Sequence, residues 1–344
     1  METLIISNTD DLQKAAQLLK AGGLVASPTE TVYGLCANAL NEEAVKKIYA
    51  AKGRPSDNPL IVHIADLSML QPLVKEISPI AQTLMRAFWP GPMTLIFKAS
   101  PLIPKVVTGG LDTVAIRFPS DPTIAKLIKT SGLPLAAPSA NTSGKPSPTN
   151  FARVYEDLNG KIDCMIKGGS SKFGVESTVI DTTGEIATIL RPGGITFEML
   201  EEVLGKVMMD PALGHKLKEG EVPRAPGMKY THYSPNAEVI IVRGTQDKVV
   251  EKINALVNEA SAKGKKVGVM ATDETLPLFK AETVISVGTE KDPSTIAANL
   301  FEVLREYDDA KVDLVYTLAF STDGIGQAIM NRLEKSAGYH FIEA

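Results

Sequence analysis

The chain is poor in the residues that usually announce a site: it has 2 cysteines, 4 histidines and 1 tryptophan among 344 residues. Cys36 and Cys164 stand alone, without CxxC spacing, so a disulfide framework is not expected. Reduced thiols in a cytoplasmic protein are the simplest reading. His63, His215, His232 and His340 are scattered without HxH or HxxxH spacing, which argues against a histidine-built metal centre. No apolar run approaches the ~18 residues of a membrane span. The opening METLIISNTDDLQKAAQ carries acids too early for a secretory signal, so neither membrane nor export is expected. A net charge of −4 supplies no overall basic field, so long-range attraction to nucleic acid is not expected to dominate, while a local basic cleft stays compatible.

What is present is a soluble, globular composition, 44% hydrophobic and 22% charged, long enough for one large domain or two ordinary ones. Short apolar runs at 4–7, 24–27, 59–64, 93–99 and 113–118 read as strands. Residues 177–183 and 187–192 read as a hairpin turning at Gly184. A helix with Leu12, Ala15, Ala16 and Leu19 on one face follows a cap at Asp10 or Asp11, and a second helix is expected near 42–51. After a short helix near 197–206 the pattern degrades, and 207–236 reads as an irregular linker. From 237 onward strand and helix alternate: strands at 237–242, 265–271, 283–287 and 313–320, helices near 245–262 and 293–305. That rhythm predicts a smaller parallel α/β domain over 237–344.

Two polar loops stand out. The first, KGRPSDNPL, places Lys52, Arg54, Ser56 and Asn58 at every second position, so an extended backbone would aim them the same way. The second, PSANTSGKPSPT, follows a small apolar strand with Ser139, Asn141, Thr142 and Ser143, side chains small enough to let backbone N–H groups approach an anion. Neither matches GxxxxGK[ST] or GxGxxG, so neither is an ordinary P-loop or a dinucleotide fingerprint. Read alone, the first loop is equally a solvated surface turn. In TVAIRF, Thr113 and Arg117 share one strand face, and a guanidinium among Val, Ala, Ile and Phe requires an anion, either a ligand or an internal carboxylate. His63 in PLIVHI reads first as a core histidine, and Trp89 as a core aromatic.

PTETVYGL, KGRPSDNPL, WPGPMTL, VAIRFP, PSANTSGKPSPT, ESTVID and LRPG, in this order, resemble the YrdC-type threonylcarbamoyl-AMP synthase family. APGMKYTHYSP and the closing IGQAIMNRLEKSAG are similar to its long, two-domain members, so the likeness covers nearly the whole chain. The resemblance implies a catalytic domain over 1–206 with a twisted, mixed sheet around a basic cleft, a linker or lid over 207–236, and a Rossmann-like domain over 237–344. It implies that L-threonine, bicarbonate and ATP yield threonylcarbamoyl-AMP and pyrophosphate, and that downstream proteins transfer the group to tRNA beside the anticodon. Direct binding of tRNA by this chain stays open.

Carried over by position, the family's threonine site falls on Thr31, His63, Arg117, the Ala137 backbone and Ser177. Its ATP site falls on Arg54, Asn58, Thr113, Ser139, Ser147, Arg191 and Tyr230, with Lys52 and Asn141 completing a phosphate cradle. Mg²⁺ is expected to travel with the triphosphate, held by phosphate oxygens and water. A carbamate attacking the α-phosphorus needs positioning and charge neutralisation, so no side-chain nucleophile is expected. Tyr230 would reach the nucleotide from the linker.

Overall fold

The structure, a computed structural model, describes residues 2–8, 11–56, 58–214 and 233–344. Within those limits the chain forms two compact units, one of 2–143 with 147–214, the other of 144–146 with 233–344.

The first unit opens with β1 (Leu4–Ile6), α1 (Gln13–Lys20), β2 (Val25–Ser27) and β3 (Gly34–Asn38). It continues through α2 (Glu42–Lys52), β4 (Ile61–His63), α3 (Pro79–Phe88), β5 (Met93–Lys98), α4 (Lys105–Thr108) and β6 (Thr113–Arg117). Next come α5 (Pro122–Ser131), β7 (Leu135–Ala136), α6 (Phe151–Leu158), β8 (Cys164–Ile166), β9 (Thr178–Asp181), β10 (Ala187–Arg191), α7 (Phe197–Leu204) and β11 (Val207–Met209). Helix starts follow their caps: Asn41, Ser78, Asp121, Asn150 and Thr196 each accept a backbone N–H from the first turn with a side-chain oxygen. α2 stops at Gly53, whose φ of 62° is left-handed and turns the chain into the first polar loop.

All eleven strands join one mixed sheet, in the order β1-β8-β2-β3-β7-β4-β6-β5-β9-β10-β11. At its centre β4 and β6 run parallel, β5 antiparallel to β6, and β9 parallel to β5. Alternation along these strands sends Val62, Ile116, Leu95 and Ile180 into the main core. The opposite face carries a small apolar floor of Ile61, Ile96, Ala115, Val179 and Leu190. Trp89 packs at the edge of the main core, with Phe97 and Phe118 at 6.4 and 6.5 Å between ring centres, as expected of a core aromatic.

Val25 of β2 pairs with Cys36 on one side and Cys164 on the other, so the two sulfurs stand two strand spacings apart, roughly 10 Å. That is too far for a disulfide. Burial pushes both thiols up to about 12, which leaves them inert.

Regular structure extends further than the sequence pattern suggests. Val207–Met209, the start of the expected linker, is strand β11, paired in parallel with β10 and followed by a 3-10 turn over Pro211–Gly214. Three residues are too few for a readable period, and the pairing with β10 is what fixes them. The rest of that linker as far as residue 232, Tyr230 included, lies outside the described residues.

The second unit contains β12 (Glu238–Arg243), α8 (Gln246–Ala262), β13 (Val267–Ala271), β14 (Thr283–Ser286), α9 (Pro293–Ala310), β15 (Leu314–Leu318), α10 (Gly326–Ser336) and β16 (Phe341–Glu343). Its five strands are all parallel, in the order β14-β13-β15-β12-β16. The strands β12, β13 and β15 are nearly continuous apolar runs because helices cover both of their faces.

Candidate active site

The centre of the first unit's sheet gathers polar side chains on the face of the small apolar floor. His63 ends β4, Arg117 ends β6, and the two are register partners on neighbouring parallel strands. On the other side of Arg117 its register partner is Thr94 of β5, whose hydroxyl lies 2.7 Å from that of Ser177, just before β9. Arg191 closes the row, donating from Nε to the Ser177 carbonyl at 3.1 Å and from Nη2 to the Ser177 hydroxyl at 3.2 Å.

Two backbone features bring Arg191 there. β10 pairs Ile189 with Ile180 and then Arg191 with Val179, so one extra residue bulges between them. The bulge turns Arg191 onto the same face as Val179; regular pairing would have sent it to the other side. Gly193 then lies against the ESTVID backbone: a Cβ there would meet Thr178 N at 2.3 Å and Glu176 O at 2.6 Å. Only glycine allows LRPG to approach so closely, which is a physical reason for that motif.

The sequence left two kinds of anion open for Arg117, and the structure supplies an internal one. Its Nη2 lies 2.9 Å from the Glu30 carboxylate, both groups being buried, and Nη1 donates to the Thr31 hydroxyl at 2.7 Å. Glu30 also accepts from the backbone N–H of Ser120 at 2.9 Å and of Asp121 at 3.3 Å. Burial pushes the Glu30 carboxyl upward, but the Arg117 charge and these N–H groups outweigh it and hold the group below its ordinary range. The close approach to Glu30 is out of line with the N–H bonds, and among the described residues Nη2 has no aligned acceptor although it is buried. Arg117 is thus neutralised by Glu30 yet keeps donors unspent. Glu30 was not singled out from sequence; the signal was available, since a strand arginine demands a counter-ion and PTETVYGL contains one carboxylate.

His63 is buried, and its Nδ1 lies 3.2 Å from the Ile61 carbonyl. Desolvation, reinforced by the Arg117 charge, lowers it to about 3, so the ring is neutral near pH 7. The same Ile61 carbonyl accepts the backbone N–H of Ala137 at 2.9 Å.

The two polar loops do meet, through Lys52. Its ammonium donates to the Ser139 carbonyl, to the Asn141 carbonyl at 2.7 Å and to Asn141 Oδ1 at 3.4 Å. An ammonium has three donors, and these contacts occupy them. The Asn141 amide nitrogen donates to the Thr142 carbonyl at 2.8 Å. Lys52 and Asn141 therefore tie the two loops together. Ser147 donates to Glu176 at 2.6 Å, and Glu176 leads directly into Ser177.

Asn58 and Thr113 lie at the beginnings of β4 and β6, with Ile61 and Ala115 between them and the His63–Arg117 end. Asn58 is fully buried, and among the described residues neither its amide nitrogen nor its amide oxygen has a hydrogen-bond partner. Its carbonyl accepts from Tyr49 at 3.0 Å and from Arg54 Nη2 at 3.4 Å, and the Arg54 guanidinium lies 5.9 Å from the Tyr49 ring centre. The parallel strands thus run from an amide end to a guanidinium end.

Comparison with known proteins identifies the family of the whole chain. A family profile described as "telomere recombination" matches residues 17–193, and one described as "threonylcarbamoyl-AMP synthase, C-terminal domain" matches 195–338. The threonylcarbamoyl-AMP synthase of Pyrococcus abyssi is 48% identical, with 99% of each chain covered. That of Bacillus subtilis is 49% identical over 96% of this chain and 94% of its own. A crystal structure of P. abyssi Sua5 complexed with L-threonine superposes with a TM-score of 0.94 and 48% identity, covering 99% of this chain and 100% of that one. The chain belongs to the threonylcarbamoyl-AMP synthase family, in its long, two-domain form.

Proposed function

We propose that this chain condenses L-threonine, bicarbonate and ATP into threonylcarbamoyl-AMP and pyrophosphate, with the amino acid at the His63–Arg117 end of the central strands. The observation that carries this reading is the buried Arg117 guanidinium, charge-paired yet with donors lacking an aligned acceptor, beside neutral His63 and the hydroxyls of Thr31 and Ser177. A carboxylate arriving there meets preorganised donors and displaces little. The threonine amine adds to bicarbonate with loss of water, and the resulting carbamate oxygen attacks the α-phosphorus as pyrophosphate leaves. The chain's residues orient and neutralise; none has to form a bond.

The nucleotide is assigned to the loop side, where Arg54, Asn58 and Thr113 flank the start of β4 and β6, with Ser139, Ser147 and Arg191 as further contacts. Magnesium ion neutralises the triphosphate charge when bound. Among the described residues no three His, Cys, Asp or Glu side chains form a metal-binding group, so we assign the ion to phosphate oxygens and water. Proteins that pass the threonylcarbamoyl group to tRNA are the consumers of the product, and that chemistry belongs in the cytoplasm. No helix among the described residues is long and apolar enough to cross a membrane.

Incubation with ATP, bicarbonate and each amino acid in turn should release pyrophosphate only when threonine and bicarbonate are both present. ATP cleavage indifferent to either one refutes the reading.

Asn58 offers a separate test. A buried amide without partners costs about 1–3 kcal/mol. Asn58→Leu, close in shape, should therefore keep or raise the melting temperature while weakening ATP binding about tenfold or more. A variant that loses stability and binds ATP normally would show that the amide is structural.

A further inference from the structure

The second unit contains a cavity that the reaction above does not use. It measures about 490 Å³, within the range of roughly 300–1,000 Å³ typical of small-molecule sites. It opens beyond the carboxyl ends of β12 and β15, neighbours at the centre of the parallel sheet. From β12 the chain crosses by α8 over β15 to β13; from β15 it crosses by α10 over β12 to β16. Right-handed crossovers in opposite directions put these two helices on opposite faces, so the loops leaving β12 and β15 part and a crevice opens between them. In open parallel sheets that crevice is where ligands are held.

The lining sets the chemistry. Val242, Leu318 and Val249 belong to the core on the α8 side, and Ile296 and Ile329 come from α9 and α10, making an apolar slot. The polar rim consists of Gln246, Glu290, Ser321 and Asp323, and among the described residues no lysine, arginine or histidine takes part. The turn after β12 reads Arg243-Gly244-Thr245-Gln246, without the GxGxxG that cradles a pyrophosphate. Two carboxylates and no cation disfavour phosphate, while carboxylates at the rim of such a crevice suit the hydroxyls of a ribose. A slot between apolar side chains from two layers suits a flat ring.

We propose that the crevice between β12 and β15 binds a nucleoside carrying no phosphate, its base between Val242, Leu318 and Ile329 and its ribose hydroxyls donating to Glu290 and Asp323. This site is distinct from that of the proposed reaction, because every described residue that lines it belongs to the second unit.

Adenosine is the probe, titrated into the full-length chain with isotope-labelled Ile, Leu and Val methyl groups. Saturable shifts are expected at Ile296, Leu318 and Ile329, apart from any at Ile61 and Val179, which report the first unit. Asp323→Ala should weaken the shifts at the second unit's methyls about tenfold, and Ala319→Trp, at an exposed lining position, should abolish them. Both variants should release pyrophosphate at the normal rate. 2′-Deoxyadenosine and AMP should both bind there more weakly than adenosine. Absence of shifts at these methyls with ~10 mM adenosine, AMP binding there more tightly than adenosine, or full affinity in Asp323→Ala would each overturn the proposal.

Discussion

Arg117→Met is expected to remove threonine-dependent pyrophosphate release and to destabilise the fold at once. Loss of a charged partner for the amino-acid carboxylate should raise the threonine requirement at least about a hundredfold, equivalent to about 3 kcal/mol. The same change leaves Glu30 buried without its cation, and breaking such a pair costs about 3–5 kcal/mol. These two losses can be separated. In Glu30→Gln/Arg117→Met the uncompensated charge is gone, and the amide introduced at position 30 keeps one oxygen for the Ser120 and Asp121 N–H groups. Most of the stability should return while activity stays absent. Thermal unfolding and pyrophosphate assays on the two single variants and the double variant close the cycle. Should the double variant regain activity, Arg117 acts only as the counter-ion of Glu30.

His63 should make the protein acid-sensitive. Its folded value of about 3 lies below the ordinary 6.5, so the unfolded chain binds a proton that the folded chain refuses. Stability from this group is complete above pH 6.5 and declines as the pH falls from there toward 3, with a slope approaching about 1.4 kcal/mol per pH unit. Glu30 works in the same direction at lower pH, since its depressed carboxyl adds stability above its ordinary value and loses it on protonation. Chemical denaturation of wild type and His63→Gln between pH 7 and 4.5 isolates the histidine: the gap between the two curves should change by about 2–3 kcal/mol over that interval. Parallel curves would show that the ring titrates as it does in the unfolded chain.

The parts of this fold that were legible in the sequence are those whose burial is local. The strands of the second unit announce themselves because both faces are covered, so β12, β13 and β15 are nearly continuous apolar runs. In the first unit, β8 and β11 have three residues each, and no period can be read from so few. The site divides in the same way. Lys52, Arg117 and Ser177 stand out by residue type, but what they touch depends on register. The bulge at Arg191 decides which face that guanidinium occupies, and it leaves no mark in composition because any residue can be the extra one. Glu30 escaped notice because a carboxylate in a turn is ordinary until its cation, on a strand far along the chain, is known to lie 2.9 Å away. The amide of Asn58 was legible as polar, and only three-dimensional structure shows that it is buried and unpartnered.

The Lys52 contacts also bear on how such a sequence can drift. Two of the acceptors that Lys52 reaches are main-chain carbonyls, those of Ser139 and Asn141, and every amino acid carries one. Inheritance of the junction between the loops is therefore lopsided. Residues 139 and 141 can exchange side chains and still offer the same oxygens, whereas position 52 has no substitute with a compact, three-donor head on a stem of that length. A lineage can rewrite the second loop and keep the junction, provided its backbone holds its course and the lysine is left in place.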